Sequence, residues 1–516
     1  MRLFHRLAIV ACIAASTPAP AADLRVGLAA GATSIDPQFY VLGPNSALAR
    51  NMFDALVNQD ETQQIRPALA LSWSNSDEVT WEFKLRPDVK FHDGATLSAT
   101  DVVASLKRVE LAARNSPSSF LPYVRDVAEA MAVDPLTVRI RTKAPAPLLL
   151  NNLSRIAILP AASAEVPTTE MNSGKGVIGT GPFRFVAWEP NTSVELVRHA
   201  QYWGAAPAWD KVVFRVITNN TTRVAALLAG DVDAIEAVPP ADIARIGQSQ
   251  KHRTSSTLSN RVMYLHMDQD RETSPFAAGP DGRNPLKKAE VRRALSLAIN
   301  RKALIERIMD NQGEPAGQLV PKGYFGHSGA LAVDAYDPEA ARKALTAAGY
   351  PDGFTLTLDA SNDRYLNDQM IAQALGQMFT RVGIKTAVET LPGSVFFTRA
   401  SKLEFSMIMG GAAVETGEAS GVLGPLLATF GPAQGQGNRG RYSSPAFDAA
   451  LKAALGQIDP ARRENDLRTA MEIGMKDRGV LPLFFIANVW ATRADLSLTP
   501  RSDGYTLAQD IRTTKP

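Results

Sequence analysis

The tightest constraint on this chain lies in residues 176–204, GVIGTGPFRFVAWEPNTSVELVRHAQYWG. It opens on a glycine-punctuated turn, Gly179-Thr180-Gly181-Pro182. Two β-patterned runs follow, residues 183–188 and 193–198, with Glu189-Pro190-Asn191 as the turn between them. Tyr202-Trp203-Gly204 closes the stretch. By pattern alone this is a β-hairpin with a packed aromatic end.

A hairpin needs a sheet to join, and 516 residues supply material for two or more domains. A composition of 45% hydrophobic and 21% charged residues describes a soluble globular protein. Residues 1–21 read as an export signal. Arg2 and Arg6 supply its charge, residues 7–15 its apolar core and Ala19-Pro20-Ala21 a small-x-small cleavage site. That core is too short to span a bilayer, and no later run reads as a transmembrane helix. Cys12 follows Ile9-Val10-Ala11, so a lipoprotein box stands as the other reading of the leader. Cleavage after Ala21 leaves no cysteine, which excludes disulfides, thiolate metal sites and cysteine nucleophiles. The net charge of +3 falls to +1 without Arg2 and Arg6, which gives no electrostatic case for nucleic acid or an anionic membrane.

Along the chain, residues 24–28 read as a strand, Thr33-Ser34-Ile35-Asp36-Pro37 as a turn and residues 46–56 as a helix. From Asp60 short strands and turns dominate, then a helix over 99–111 with Thr100 or Asp101 as N-cap. A strand at 211–217, a helix at 221–229 and a strand at 233–238 imply a parallel sheet with a right-handed crossover. Residues 288–309 carry one apolar stripe at helical spacing. Strands at 354–360, 384–390 and 405–409 alternate with helices at 367–382 and 394–402, a βαβαβ run. Glycine-rich loops follow at 410–424 and 431–440. Two strands, 261–267 and 481–491, are expected to cross between lobes and form a hinge.

Several of these segments, taken in order, resemble the extracellular solute-binding proteins of family 5, which serve ABC importers for peptides, dipeptides, glutathione and nickel. They are the "GTGPF", "W-x-P" and "YW" elements of the opening stretch, "KFHDG" with "A-x-D-V" (residues 90–102), and "VRRALSLAINRKALI" (residues 291–305). The resemblance spans about residues 24–508. It implies an α/β, two-lobed periplasmic binding protein, type II and of the large peptide-binding class, with an extra subdomain on lobe one. The boundaries expected are a signal peptide at 1–21 and lobe one at 22–58, 176–264 and 485–516. The inserted subdomain takes 59–175 and lobe two 265–484. It implies a monomer that captures a short peptide or peptide-like solute by hinge closure and delivers it to a membrane permease with a cytoplasmic ATPase. A sensory protein feeding a chemoreceptor, or a binder of an opine or nickel chelate, are the alternatives.

Ligands of open parallel sheets sit beyond the carboxyl ends of the strands. Arg364 follows the strand at 354–360 and Glu415 the strand at 405–409. On one parallel sheet they would share an edge, Arg364 holding a carboxylate and Glu415 an ammonium. The alternative is that both are solvated loop charges. Dipeptide-binding relatives use an arginine at the first place and the aspartate of "G-W-x-x-D-x-G-D" at the second. Here that run is GAAVETGE, residues 411–418, with Ala412 for the tryptophan and Glu415 for the aspartate. Its Thr416-Gly417-Glu418-Ala419 is similar to the glutathione branch. Thr33, Thr416, Arg441 and Tyr442 complete the candidate ligand-binding set, and Arg439 is a further loop arginine beside it. His92 and Asp93 have no nucleophile nearby and read as a turn. The histidines show no i, i+4 pairing or HExxH, and no G-x-S-x-G or Walker loop occurs. No catalytic residue, metal ligand or cofactor is therefore expected.

Overall fold

The computed structural model describes residues 23–432 and 434–514. The leader, with Cys12, lies outside them. One mixed sheet runs through both lobes. Its strand order is Ala277–Ala278, Thr355–Ser361, Met407–Ala413, His252–Met267, Leu481–Arg493, Ala234–Ile235, Asp23–Leu28, Lys211–Val216, Ser193–Arg198, Phe183–Glu189. The two central strands, His252–Met267 and Leu481–Arg493, pair antiparallel over most of their length and belong to both lobes. Between Leu258 and Val262 their register shifts, a bulge in the middle of the long pair.

Strand alternation explains how one strand serves two cores. Met263, Leu265 and Met267 face one apolar cluster of lobe two, with Leu295, Phe379 and Phe484. Val262 and Tyr264 face the other, with Leu423, Phe447 and Met471. Lobe one has its own core around Leu24, Val26, Phe183, Phe214 and Trp490. A four-stranded antiparallel sheet, Ala70–Asn75, Thr80–Leu85, Thr137–Thr142 and Val127–Asp134, packs with the helix Ala99–Ala112 around Phe83, Phe91 and Ile140.

The opening hairpin forms as patterned, Phe183–Glu189 against Ser193–Arg198, with Asn191 at positive φ in the turn. The turn before it is held from three sides. His92 accepts from the Gly179 N–H at Nδ1 (3.2 Å) and donates from Nε2 to the Gly181 carbonyl (3.1 Å). Nδ1 of His199 meets the same carbonyl at 3.1 Å. Burial pushes His92 down to about 3, so the ring stays neutral in this role. Asp54 joins the two ends of the stretch, accepting from Thr180 Oγ1 at 2.9 Å and from Trp203 Nε1 at 2.8 Å.

Several elements differ from the sequence reading. The helix expected at 46–56 is Gly43–Met52, because Pro44 suits a first turn. Ser98, not Thr100 or Asp101, caps Ala99–Ala112, and Asp101 is the third residue that accepts the Ser98 N–H at 2.8 Å. The single helix expected over 288–309 is two, Ala289–Ala298 and Arg301–Ile308. Asn300 breaks the run by capping the second through the Ala303 N–H (2.9 Å). The strand at 233–238 shortens to Ala234–Ile235, since Ala237 has φ +50°. Residues 410–413 are strand rather than loop, the end of Met407–Ala413, where Gly410 and Gly411 lie against the rings of Tyr264 and Tyr365.

Candidate ligand-binding site

Thr355–Ser361 and Met407–Ala413 are parallel neighbours, with Leu358 opposite Met407. The loops that leave them carry Arg364 and Glu415, so both emerge at the carboxyl edge. The loop at 414–418 reaches across to the other half of the molecule. Arg155 Nη2 pairs with Glu415 Oε2 at 2.6 Å, and Asn151 Nδ2 donates to the Thr416 carbonyl at 2.6 Å. A Cβ on Gly417 would stand 2.4 Å from the Gln63 carbonyl oxygen, so only glycine allows the loop this close.

Around that contact the structure gathers charged and aromatic groups from distant parts of the chain. Arg155 is buried over the Tyr123 ring, 5.2 Å from its centre. Burial opposes its charge, but Tyr505, Glu415 and Tyr123 outweigh this and raise its affinity for the proton. Arg50 lies 5.5 Å from the Tyr505 ring and donates to Asn58 Oδ1 at 3.1 Å. Burial, helped by Arg501, lowers the pKa of Arg50. Arg261 leaves the bulge of the crossing strand and comes within 5.9 Å of the Tyr365 ring centre, while Arg364 comes within 5.3 Å of the same ring. Tyr365 is fixed by donating its hydroxyl to the Gly411 carbonyl at 3.1 Å. Burial lowers the pKa of Arg261, with Tyr365 opposing and Arg364 adding repulsion.

The candidates divide on this geometry. Arg364 and Glu415 face the cluster, but Glu415 is not the free acceptor expected, since one oxygen is held by Arg155. Thr416 contributes its carbonyl to the lobe contact, and its hydroxyl turns back toward the Glu418 carbonyl (3.5 Å). Glu418 itself is buried in an ion pair with Arg463. Thr33 is exposed and binds Asn45, its N–H donating to Oδ1 at 2.8 Å. Arg441 and Tyr442 belong to the body of lobe two. The Arg441 guanidinium stacks 3.7 Å from the Phe430 ring centre, and Tyr442 is a core residue whose hydroxyl donates to Asp477 at 2.7 Å. A bulky tyrosine beside Gly479 found packing there, which loop position alone hides. Arg439 lies 5.9 Å from the Phe397 ring centre.

Sequence reading missed Arg50, Tyr123, Arg155, Arg261 and Tyr505. A signal existed for one of them: Arg155 is the lone charge in the apolar run 148–160. Among the described residues no three His, Cys, Asp or Glu side chains gather as a metal requires.

The strand that leads into the Arg364 loop holds one member of a pH-sensitive pair. Asp359 lies opposite Glu389 on the neighbouring strand, and burial with that repulsion pushes Asp359 up to about 7. The folded protein therefore binds a proton there that the unfolded chain, with an ordinary carboxylate near 4, releases. Stability falls as pH rises through that window. Asp359→Asn is expected to stabilise the protein by about 1–2 kcal/mol at pH 8, after discounting for screening, and by little at pH 4. Urea denaturation at both pH values checks this, and an equal effect at both would contradict it.

The comparisons with known proteins agree with this architecture. Residues 64–434 match the family model of bacterial extracellular solute-binding proteins, family 5 Middle. Glutathione-binding protein GsiB of Salmonella typhi is 29% identical over 493 residues, covering 92% of this chain and 91% of its own. Among solved structures, the periplasmic binding protein DppA from Helicobacter pylori, in complex with the peptide STSA, superposes with a TM-score of 0.75 at 24% identity, covering 96% of this chain and 98% of its own. The substrate-binding protein CtaP from Listeria monocytogenes gives a TM-score of 0.84 at 20% identity, covering 96% and 100%. The fold is the two-lobed α/β fold of type II periplasmic binding proteins of the peptide-binding class. The chain belongs to the bacterial extracellular solute-binding proteins of family 5.

Proposed function

We propose that this chain is the exported, solute-capturing subunit of an ABC importer and that its solute is a short peptide or peptide-like molecule. The observation that carries the ligand class is the cluster between the lobes. It contains Arg50, Arg155, Arg261 and Arg364, and the carboxylate set among them, Glu415, is already paired with Arg155, while Asp503 near Arg50 is paired with Arg501. Such a site attracts a carboxylate, which Arg364 takes with its bidentate fork. The second oxygen of Glu415, whose side chain is 45% exposed, accepts from the ammonium end. Relatives that are named for glutathione binding, or solved with a bound peptide, support the same class. The protein acts by binding and not by turnover. It works in the periplasm as a monomer, closing about the crossing strands and docking on a permease driven by a separate ATPase. Closure follows from the ligand's higher affinity for the closed form.

Arg364→Ala is expected to weaken a carboxylate-bearing peptide by about 2 kcal/mol or more, read by isothermal titration calorimetry. Its ligand is found by native mass spectrometry of protein purified gently from periplasm, then denaturing analysis of what is released. A released peptide with unchanged affinity in Arg364→Ala would sink the role of Arg364. A released sugar would sink the ligand class.

A further inference from the structure

Two guanidinium groups in the cleft have no hydrogen-bonding or ionic partner among the described residues. Among the described residues, neither Arg261 nor Arg364 makes a side-chain hydrogen bond or an ion pair; each lies against the Tyr365 ring. Their placement is built rather than accidental. Arg261 emerges from the bulge between Leu258 and Val262, where a strand is bent and a side chain re-aimed. The Tyr365 ring that both approach is anchored through its hydroxyl to the Gly411 carbonyl. It can lie there because residue 411 has no Cβ, which would stand 2.9 Å from the ring. Glu415, the acid whose charge acts on Arg261, is occupied by Arg155. Arg364 is exposed and Arg261 half-buried, and the two like charges repel each other in the unliganded protein.

We infer that Arg261 and Arg364 form a two-cation pocket that selects solutes carrying two carboxylates close together over solutes carrying one. This rests on the solute-binding reading above and adds to it a charge class and a specificity residue, Arg261. Each fork takes one carboxylate, and filling both relieves the repulsion between the guanidinium groups. A single carboxylate leaves one cation buried and unmatched on closure, which penalises the wrong ligand.

The test compares isosteres. Alanyl-aspartate and alanyl-glutamate are titrated against alanyl-asparagine and alanyl-glutamine by calorimetry, with succinate and glutarate as non-peptide dicarboxylates. The acid peptides are expected to bind at least tenfold tighter than their amides. Arg261→Gln should collapse that ratio toward one, and Arg261→Lys should keep part of it. The melting temperature of unliganded Arg261→Gln should equal or exceed that of the natural protein, because an unpaired desolvated cation is removed; a structural role would lower it. If peptides bind with no preference for the acid forms, the pocket is overturned while the peptide reading stands. If only succinate or glutarate binds, and does so through Arg261, the pocket stands and the peptide reading falls. If no probe binds, both fall. Should Arg261→Gln fail to fold, the acid-to-amide ratio of the natural protein decides.

Discussion

Arg108→Ala is expected to destabilise this protein by about 3–5 kcal/mol, measured as a loss of unfolding free energy in urea. The side chains of Arg108 and Asp36 are both fully buried. Two parallel bonds join them, Nη1 to Oδ1 at 2.9 Å and Nη2 to Oδ2 at 2.8 Å. The pair ties three segments that are far apart in sequence. Asp36 belongs to the turn after the first strand, and Arg108 to the helix Ala99–Ala112. Thr168 Oγ1 donates to Asp36 Oδ2 at 2.7 Å, while Arg108 also donates to the Val166 carbonyl at 3.0 Å. Removing the arginine leaves a carboxylate in a dry site with only hydroxyl and amide donors. The cost is that of the abandoned charge rather than of a lost attraction. Arg108→Met with Asp36→Leu should therefore recover most of the loss, because neither charge remains. A loss under about 1 kcal/mol for Arg108→Ala, or no recovery in the double variant, would show that the pair is not what joins these segments.

How much of this was legible in the sequence depends on whether local pattern or distant packing sets each feature. The hairpin, the strand before Arg364 and the two long central strands declare themselves through alternation and turn residues, and the structure has them, although the strand expected at 261–267 begins at His252. The resemblance carried the fold, because its motifs occur in order along nearly the whole chain. Asp36 shows the limit. Its Asp-Pro turn was legible, but the partner lies 72 positions away in a helix whose pattern shows only its apolar stripe. The cleft fails in the same way. Arg364 and Glu415 could be put forward as candidates because both follow strands that run parallel, whereas Arg50, Arg155, Arg261 and Tyr505 converge from four separate segments. Tyr442 erred in the other direction: loop residues near a glycine-rich stretch look available until the core behind them is known.

The glycine turn that opens the hairpin gives the second large effect. Gly179→Ala is expected to cost about 3 kcal/mol or more. Its Cβ would stand 2.1 Å from the Met52 carbonyl oxygen and 2.7 Å from the Phe53 ring. The first contact is with backbone, so no rotamer change relieves it. The turn would have to move, and its bonds move with it. Gly181 donates its N–H to that same Met52 oxygen at 3.0 Å, and its carbonyl accepts from the two histidines. Each buried group left unmatched adds roughly 1–3 kcal/mol. Threonine at 180 is bound to Asp54, which also holds Trp203, so displacement at the turn reaches the aromatic end of the stretch. A control separates this from the general effect of losing a glycine. Gly247 ends the helix Pro240–Gly247 with open space around its Cβ position, and Gly247→Ala should be neutral or slightly stabilising. Paired urea titrations of the two variants decide. Equal, small effects would mean that the turn yields easily, and that the glycines at 179 and 181 are not what holds this hairpin against the end of the helix Gly43–Met52.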